Sequence, residues 1–259
     1  MSPATDRTVV KYSENDTIVE VLKGAVTARL LSHDPSRSFA IEATFNLHKG
    51  AEFFFSEKNK PPMHFHVAQE EYVECLQGKL VVETKTKTNG PGPGPLRQKK
   101  HEYHFLTPED GRFCIRPYVN HRLYPAPLEE QQQHIVKFLL SGAKTDSVFG
   151  ELNDVFFENW YGYQDEVVVR GAGHIDLFQL FCTFDAGGTY VSFPGWVPFG
   201  QSISIALGVV LGRWIGSGLL GYQPFYRKWT TDWELACQKM ENSIFQRRFA
   251  DRSKTTLGN

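Results

Sequence analysis

The chain has 259 residues, of which 41% are hydrophobic and 14% aromatic, so it can bury a sizeable core. Its 28 basic and 29 acidic residues nearly balance, which argues against a nucleic-acid-binding protein with a basic surface. The four cysteines show no zinc-binding spacing and predict free thiols in a reducing compartment. No apolar run follows Met1, so we expect a cytoplasmic protein without a secretory signal.

Short apolar runs broken by turn residues occupy the chain from about residue 17 to residue 140. Among them are Thr17 to Leu22, Val26 to Leu31, Phe39 to Phe45 and His134 to Leu140, all rich in β-branched or aromatic residues. Their length and spacing predict the strands of a sandwich or barrel. The stretch Lys85 to Lys100 repeats Pro and Gly, which cannot sustain a strand, and predicts a long surface loop between two strands.

The pattern changes near residue 145, after which helical spacing dominates. A short helix is expected within Val148 to Val168 and another over His174 to Phe184. The most regular pattern runs from Trp229 to Arg252, where apolar residues recur at three- and four-residue steps. The sequence therefore predicts a strand-rich domain over residues 1–144 and a mostly helical, aromatic-rich extension over residues 145–259.

One segment of the extension, residues 196–222, is nearly continuous in apolar and small residues. Its length is sufficient for a membrane span, and Gly208, Gly212 and Gly216 repeat at the four-residue spacing of packed membrane helices. Arg213 near its middle is costly in lipid and favours a different interpretation, a buried or dimer-interface helical hairpin. Both interpretations remain open, so contact with an internal membrane and a homodimer are both expectations.

The most informative stretch begins with His64 and His66, two residues apart on a predicted strand. Residues at that spacing share a face, so both imidazoles point the same way while Phe65 points away. A short turn follows, and Glu71 at the start of the next strand can bring a carboxylate beside the imidazoles. Gly78 stands where that strand must end in a tight turn. Two imidazoles and a carboxylate suit iron, manganese, zinc, nickel or copper.

This stretch resembles the first motif of the cupin superfamily, in which His-x-His is followed by Glu and then, after six residues, by Gly. The second cupin motif is similar to Gly111, Pro117 and His121, although Val119 stands where that motif usually has Gly. The resemblance implies His121 as the fourth ligand, with His104 and His134 as alternatives. It implies a mainly β fold, a cupin (double-stranded β-helix or jelly-roll) barrel with a C-terminal, mostly helical extension.

A single cupin followed by an aromatic-rich helical tail also resembles the cupin-domain oxidoreductases of fungal polyketide pathways. That resemblance implies a metal-dependent enzyme, with Fe(II) as the first candidate, acting on a small, largely apolar or aromatic secondary metabolite. Glu71 is then the expected catalytic carboxylate as well as a ligand, beside His64, His66 and His121. The alternatives are an isomerase, cyclase or decarboxylase that uses the metal as a Lewis acid, and a non-catalytic ligand-binding cupin.

Overall fold

The structure is a computed structural model that describes residues 9–55, 60–87, 99–147, 150–170 and 175–255. Antiparallel strands dominate its first half, as the alternation of apolar and polar residues predicts. The strands are β1 Val10–Lys11, β2 Ile18–Val21, β3 Val26–Leu30, β4 Ser32–His33, β5 Arg37–Asn46, β6 His64–His66, β7 Glu71–Gln77, β8 Leu80–Lys87, β9 Lys99–Leu106, β10 Arg112–Ile115, β11 Asn120–Pro125, β12 Ile135–Ala143 and β13 Thr189–Val191.

Two antiparallel sheets carry these strands, apart from the small β1–β4 pair. One sheet has the order β10-β7-β12-β5-β3-β2, and the other has the order β13-β6-β11-β8-β9. Within the described ranges no strand pairs across the two sheets, so the predicted closed barrel is not formed and the fold is a two-sheet sandwich. The sequence could not distinguish these, because the same alternating pattern buries one face of a strand in either arrangement.

The inner faces of both sheets meet in one hydrophobic core. Phe39 and Ile41 of β5 are fully buried in it, as are Leu80 and Val82 of β8 in the opposite sheet. Aromatic residues of the C-terminal region, among them Phe156, enter the same core. This region also supplies β13, which pairs with β6 at the edge of the second sheet.

The loop predicted over Lys85 to Lys100 is shorter than expected, because β8 continues to Lys87 and β9 begins at Lys99, and the two strands pair along their whole length. Residues 88–98 of that loop lie outside the described residues. At the end of β7, Gly78 has a φ of 76°, and a Cβ there would lie 2.9 Å from the carbonyl oxygen of Ile135. The tight turn at this position therefore requires glycine, as expected from the sequence.

The helices of the C-terminal region differ in extent from those predicted. The strand-rich region contains the short helix α1 Ala51–Phe54. The helices of the C-terminal region are α2 Asp154–Arg170, α3 Leu177–Ala186, α4 Gly200–Leu207, continued in π-helical geometry by Gly208–Leu220, and α5 Trp233–Glu241. Short 3-10 turns cover Leu128–Glu130, Arg227–Trp229, Arg247–Phe249 and Arg252–Thr255.

The bounds of all three predicted helices differ from the observed ones, and α2 runs past Val168 to Arg170. The helix expected from His174 begins at Leu177, because the Asp176 side chain accepts from the backbone N–H groups of Phe178 and Gln179 and caps it there. His174 itself lies outside the described residues. The helix expected over Trp229 to Arg252 covers only α5, since the chain turns after Glu241 so that Phe245 can pack beside Trp214.

The apolar segment over residues 196–222 contains one long helix, α4 with its π-helical continuation, rather than a hairpin. Two of its glycines allow close packing: a Cβ at Gly212 would lie 2.4 Å from the carbonyl oxygen of Phe181 in α3, and a Cβ at Gly208 would lie 2.7 Å from the ring of Tyr190 in β13. Arg213 pairs at 2.7 Å with the fully buried Asp185, which satisfies the charge that argued against a membrane span.

The opposite face of this helix exposes large apolar side chains, including Phe199 and Leu219, which are 83% and 79% exposed. Among the described helices, Gly200–Leu220 is long and apolar enough to cross a membrane by length and composition. A core helix of a soluble protein can pass the same test, so membrane contact stays a prediction.

Candidate metal centre

Strand β6 presents His64 and His66 to the interior of the sandwich. Phe65 between them is fully buried on the other face, where its ring lies 6.2 Å from Tyr118 and 5.9 Å from Tyr190, measured between centroids. The predicted alternation along the His-x-His motif is therefore confirmed. It follows directly from the two-residue period of a strand.

Strand β11 brings His121 directly opposite His64 in an antiparallel pair. One ring nitrogen from each of His64, His66 and His121 lies within 4.8 Å of the other two, an arrangement that could hold a metal ion. The two alternative histidines are elsewhere: His104 lies against Thr84 and Phe113, and the ring of His134 stacks on that of His48 at 3.8 Å. Of the three candidates for the fourth ligand, His121 is the one the fold brings to the cluster.

Glu71 approaches the imidazoles from the opposite sheet, because the turn after β6 carries the chain across the sandwich into β7. Its Oε2 lies 2.8 Å from Nε2 of His121 and 3.4 Å from Nε2 of His66. The carboxylate is almost completely buried. The structure therefore gathers the three histidines into one cluster, with the Glu71 carboxylate beside His66 and His121.

Each imidazole is fixed by a hydrogen bond at its other nitrogen. Nδ1 of His64 lies 3.0 Å from the carbonyl oxygen of Pro62, and Nδ1 of His121 lies 2.9 Å from that of Val119. Because a carbonyl oxygen only accepts, each of these nitrogens carries the proton, and Nε2 is left with a lone pair facing inward.

The third imidazole is held by a residue of the C-terminal region. Nδ1 of His66 lies 3.0 Å from Oγ1 of Thr189 in β13, and that hydroxyl donates to the carbonyl oxygen of Gly187 at 3.4 Å. Since the hydroxyl proton is used on Gly187, Oγ1 accepts from the ring, and His66 is in the same tautomer as the other two. Outer partners of this kind orient metal-binding histidines.

The donor atoms facing one another lack hydrogen-bond partners. Nε2 of His66, Nε2 of His121 and Oε2 of Glu71 are buried and unsatisfied. Because both rings are protonated at Nδ1, the lone pair of each Nε2 faces the lone pairs of Oε2. This arrangement is repulsive unless a cation lies between the atoms. Atoms that bind one ion at about 2.1 Å lie at most about 4.2 Å apart, and both distances from Glu71 satisfy that limit. These residues therefore fit a metal ion.

Burial and mutual proximity keep these groups in the protonation states that bind metals. Burial lowers the pKa of His64 well below its ordinary value, and the nearby His121 and His66 lower it further. Burial also lowers the pKa of His66, although the Glu71 carboxylate partly opposes this. Burial alone would raise the pKa of Glu71, but its interactions with His121 and His66 outweigh burial and hold that pKa well below its usual range. A carboxylate beside neutral imidazoles is the state required of metal ligands.

A cavity of about 570 Å³ opens beside the donor atoms of His64, His66 and Glu71. Its size is typical of a site for a small organic molecule. Apolar and aromatic side chains form most of its wall, namely Val21, Leu22, Val26, Phe45, Phe53, Phe54, Leu123, Phe138, Leu140, Leu152, Phe156, Phe157, Trp160, Val167 and Phe184. A wall of this kind suits the small, largely apolar or aromatic metabolite that the sequence resemblance implies.

The sequence reasoning missed the contribution of α2 to this wall. Phe156, Phe157, Trp160, Tyr161 and Gln164 all line the cavity. The aromatic spacing within residues 156–164 was a usable signal, since it places several rings on one helical face. Thr189 left no signal, because it meets His66 only after 123 residues of intervening chain.

No family model matches the chain, but curated proteins do. It is 39% identical over 254 residues to a probable oxidoreductase, yanE, of Aspergillus niger, covering 97% of this chain and 90% of that protein. It is also 39% identical over 243 residues to an oxidoreductase of Arthrobotrys oligospora, with coverages of 93% and 88%. A third relative, the epoxidase atD of Aspergillus terreus, is 34% identical over 251 residues, with coverages of 93% and 72%.

Proposed function

Because this chain belongs to the family of fungal oxidoreductases that these relatives represent, we propose that it is a metal-dependent oxidoreductase acting on a small, largely apolar or aromatic metabolite. The observation that carries the metal dependence is the convergence of unsatisfied Nε2 and Oε2 atoms at the wall of an apolar cavity. The expected setting is the tailoring of a secondary metabolite, as in polyketide biosynthesis, by a cupin-type centre between two sheets.

His64, His66 and His121 would hold the metal through Nε2, and Glu71 through a carboxylate oxygen. A divalent transition metal there, with iron(II) as first candidate and manganese, zinc, nickel or copper as alternatives, would supply Lewis acidity and, for iron, manganese or copper, redox chemistry. Three neutral imidazoles and one carboxylate leave a divalent ion with a net positive charge. The centre would therefore favour a substrate oxygen placed at the adjoining end of the cavity.

The surrounding residues keep this centre rigid and dry. The carbonyl groups of Pro62 and Val119 and the hydroxyl of Thr189 hold the three rings in one tautomer, so the lone pairs stay aimed at a common point. The aromatic wall excludes water from the ring of a bound metabolite. Exclusion of water strengthens every electrostatic contact made at the metal end of the cavity.

Metal content tests the proposal directly. We expect about one transition-metal ion per chain by elemental mass spectrometry of untagged protein, and loss of that ion in a His64→Ala/His66→Ala variant. A His104→Ala/His134→Ala variant is the matched control, since both residues lie away from the cluster. No metal in the wild-type protein, even after reconstitution with iron(II) under anaerobic conditions, would contradict the proposal.

The redox assignment is favoured over Lewis-acid isomerisation, cyclisation or decarboxylation because the relatives are named as oxidoreductases and an epoxidase. Dioxygen uptake separates the two. Turnover of a metabolite with stoichiometric oxygen consumption is the expected result, whereas turnover at the same rate without oxygen or another electron acceptor would favour the Lewis-acid alternative.

A further inference from the structure

One face of α2 forms a large part of the cavity wall. Phe157, Trp160, Tyr161, Gln164 and Val167 are spaced at three- and four-residue steps, and all five line the cavity. Most of this face is apolar, as is the rest of the wall. Tyr161 and Gln164 differ because they bring a hydroxyl and an amide into otherwise apolar surroundings.

The hydroxyl of Tyr161 makes no hydrogen bond to any residue that the structure describes, and neither does the amide of Gln164. This is unusual, because the polar end of a partly buried tyrosine normally finds a partner. Every other tyrosine of the described C-terminal region has a bonded hydroxyl, namely Tyr163, Tyr190, Tyr222 and Tyr226. The hydroxyl of Tyr161 and the amide of Gln164 are therefore available to bind a molecule that enters the cavity.

Tyr161 lines the same cavity as His64, His66 and Glu71. Burial raises its pKa, and the negative charge of Glu71 raises it further. The Glu71 carboxylate thus lies within range of a Coulomb interaction with the phenol, which keeps its proton at neutral pH. A neutral phenol in this position can donate a hydrogen bond to an oxygen bound beside the imidazoles.

The charged side chains near the cavity are occupied elsewhere. Lys23 pairs with Glu52 at 3.8 Å, and both are largely exposed at the rim. The ammonium group of Lys60 lies 4.6 Å from the centre of the Tyr124 ring. Away from the proposed metal, these contacts leave the described wall without an inward-facing cationic side chain, so the part of a ligand that lies along this wall is neutral.

From these observations we propose that Tyr161 and Gln164 form a polar subsite that recognises a neutral, planar ring bearing hydroxyl or carbonyl oxygens. Tyr161 donates to the oxygen placed beside the imidazoles, and Gln164 binds a second polar group one helical turn away. The ring lies against the aromatic face formed by Phe157 and Trp160. The substrate class is thus a phenol, a quinone or a related cyclic ketone, an inference that rests on the proposed function of the same cavity.

A matched pair of ligands tests the hydroxyl of Tyr161. The probes are 2-naphthol and 2-methylnaphthalene, which have similar volumes and differ in one hydroxyl group. Binding is measured by fluorescence titration of the whole chain as isolated. In Tyr161→Phe we expect the affinity for 2-naphthol to fall about fivefold, the value of one neutral hydrogen bond, and the affinity for 2-methylnaphthalene to stay unchanged.

Tyr163→Phe on the same helix is the control, because its hydroxyl bonds the backbone of Asp176 instead of facing the cavity. It should leave the ratio of the two affinities unchanged. An equal loss for both probes in Tyr161→Phe, or no loss for either, would overturn the proposal.

Metal content measured on the same preparations separates this inference from the proposed function. Tyr161→Phe should retain its metal, because the phenol is not a ligand. If the wild type binds metal but Tyr161→Phe does not change the affinity for 2-naphthol, the subsite proposal is wrong and the metal-dependent function stands. If the wild type never binds metal but Tyr161→Phe selectively weakens the binding of 2-naphthol, the metal-dependent function is wrong and the subsite proposal stands.

Discussion

The strand-rich region and the C-terminal region contribute different parts of one site. The first supplies every proposed metal ligand from three strands, with His64 and His66 on β6, His121 on β11 and Glu71 on β7. The second supplies no ligand but provides Thr189 behind His66 and the aromatic wall of α2. The placement of the donor atoms therefore depends on local strand geometry, whereas their orientation and the shape of the cavity depend on a distant part of the chain.

The largest expected effect tests whether the strand-rich region supplies the whole donor set. Glu71→Gln keeps the shape of the side chain and removes its charge. Because residues that merely orient metal ligands contribute about 10–100-fold in affinity, loss of a direct carboxylate ligand should exceed about a hundredfold. Competition against a chelator of known affinity measures this.

Glu70→Gln is the control for that measurement. The adjacent Glu70 accepts a hydrogen bond from Tyr72 at 2.6 Å and belongs to no part of the cluster. Unchanged metal affinity in Glu71→Gln would leave a three-histidine centre and remove Glu71 from the donor set.

A smaller effect tests the contribution of the C-terminal region to the metal centre. Thr189→Val keeps the side-chain shape and leaves Nδ1 of His66 without its acceptor. We expect metal affinity to fall about 10–100-fold, while Thr189→Ser, which keeps the hydroxyl, stays near the wild-type value. Equal affinities for the valine and serine variants would mean that β13 serves packing alone.

The next prediction concerns how α2 is held against the strands. Burial, together with the negative charges of the nearby Glu158 and Asp232, raises the pKa of Asp154 in its first turn to about 7. Between its ordinary pKa of 3.8 and about 7, the folded state holds a proton that the unfolded state has lost, so stability falls as pH rises through this interval. Above about pH 7 both states are ionised and the full cost of burying the charge remains.

Asp154→Asn should therefore raise the free energy of unfolding by about 1–2 kcal/mol at pH 8 and by much less at pH 4. Urea unfolding at the two pH values measures the difference. Asp165→Asn, on the same helix, is the control. A stabilisation of the same size at both pH values would show that the charge of Asp154 is not responsible.

The smallest expected effect concerns the exposed face of the long apolar helix. If this face contacts a membrane, Phe199→Ser/Leu219→Ser should weaken binding to phospholipid vesicles about threefold to tenfold, because less apolar surface is buried. Vesicle flotation measures this, and Ile18→Ser, which removes an exposed apolar side chain of β2, provides the control. Wild-type protein that does not float with vesicles would exclude membrane contact through this face.

Much of the site could be predicted from the sequence because the relevant signals are local. The His-x-His alternation, the start of β7 at Glu71 and the turn at Gly78 each depend on a few adjacent residues. The predicted relation to fungal oxidoreductases is confirmed by a relative that is 39% identical along nearly the whole chain. The helix predicted through Arg252 was wrong because apolar spacing continues past the point where tertiary packing turns the chain.

By itself, the sequence determined which strand residues face inward and which of them carry metal-binding atoms, since strand periodicity and turn chemistry act over short distances. Long-range packing placed Glu71 in the other sheet and Gly212 of the long helix against α3. It also brought Thr189 to His66 and Tyr161 to the cavity wall. Those outcomes depend on contacts between residues far apart in the chain, which leave no periodic signal because each is made by a single side chain.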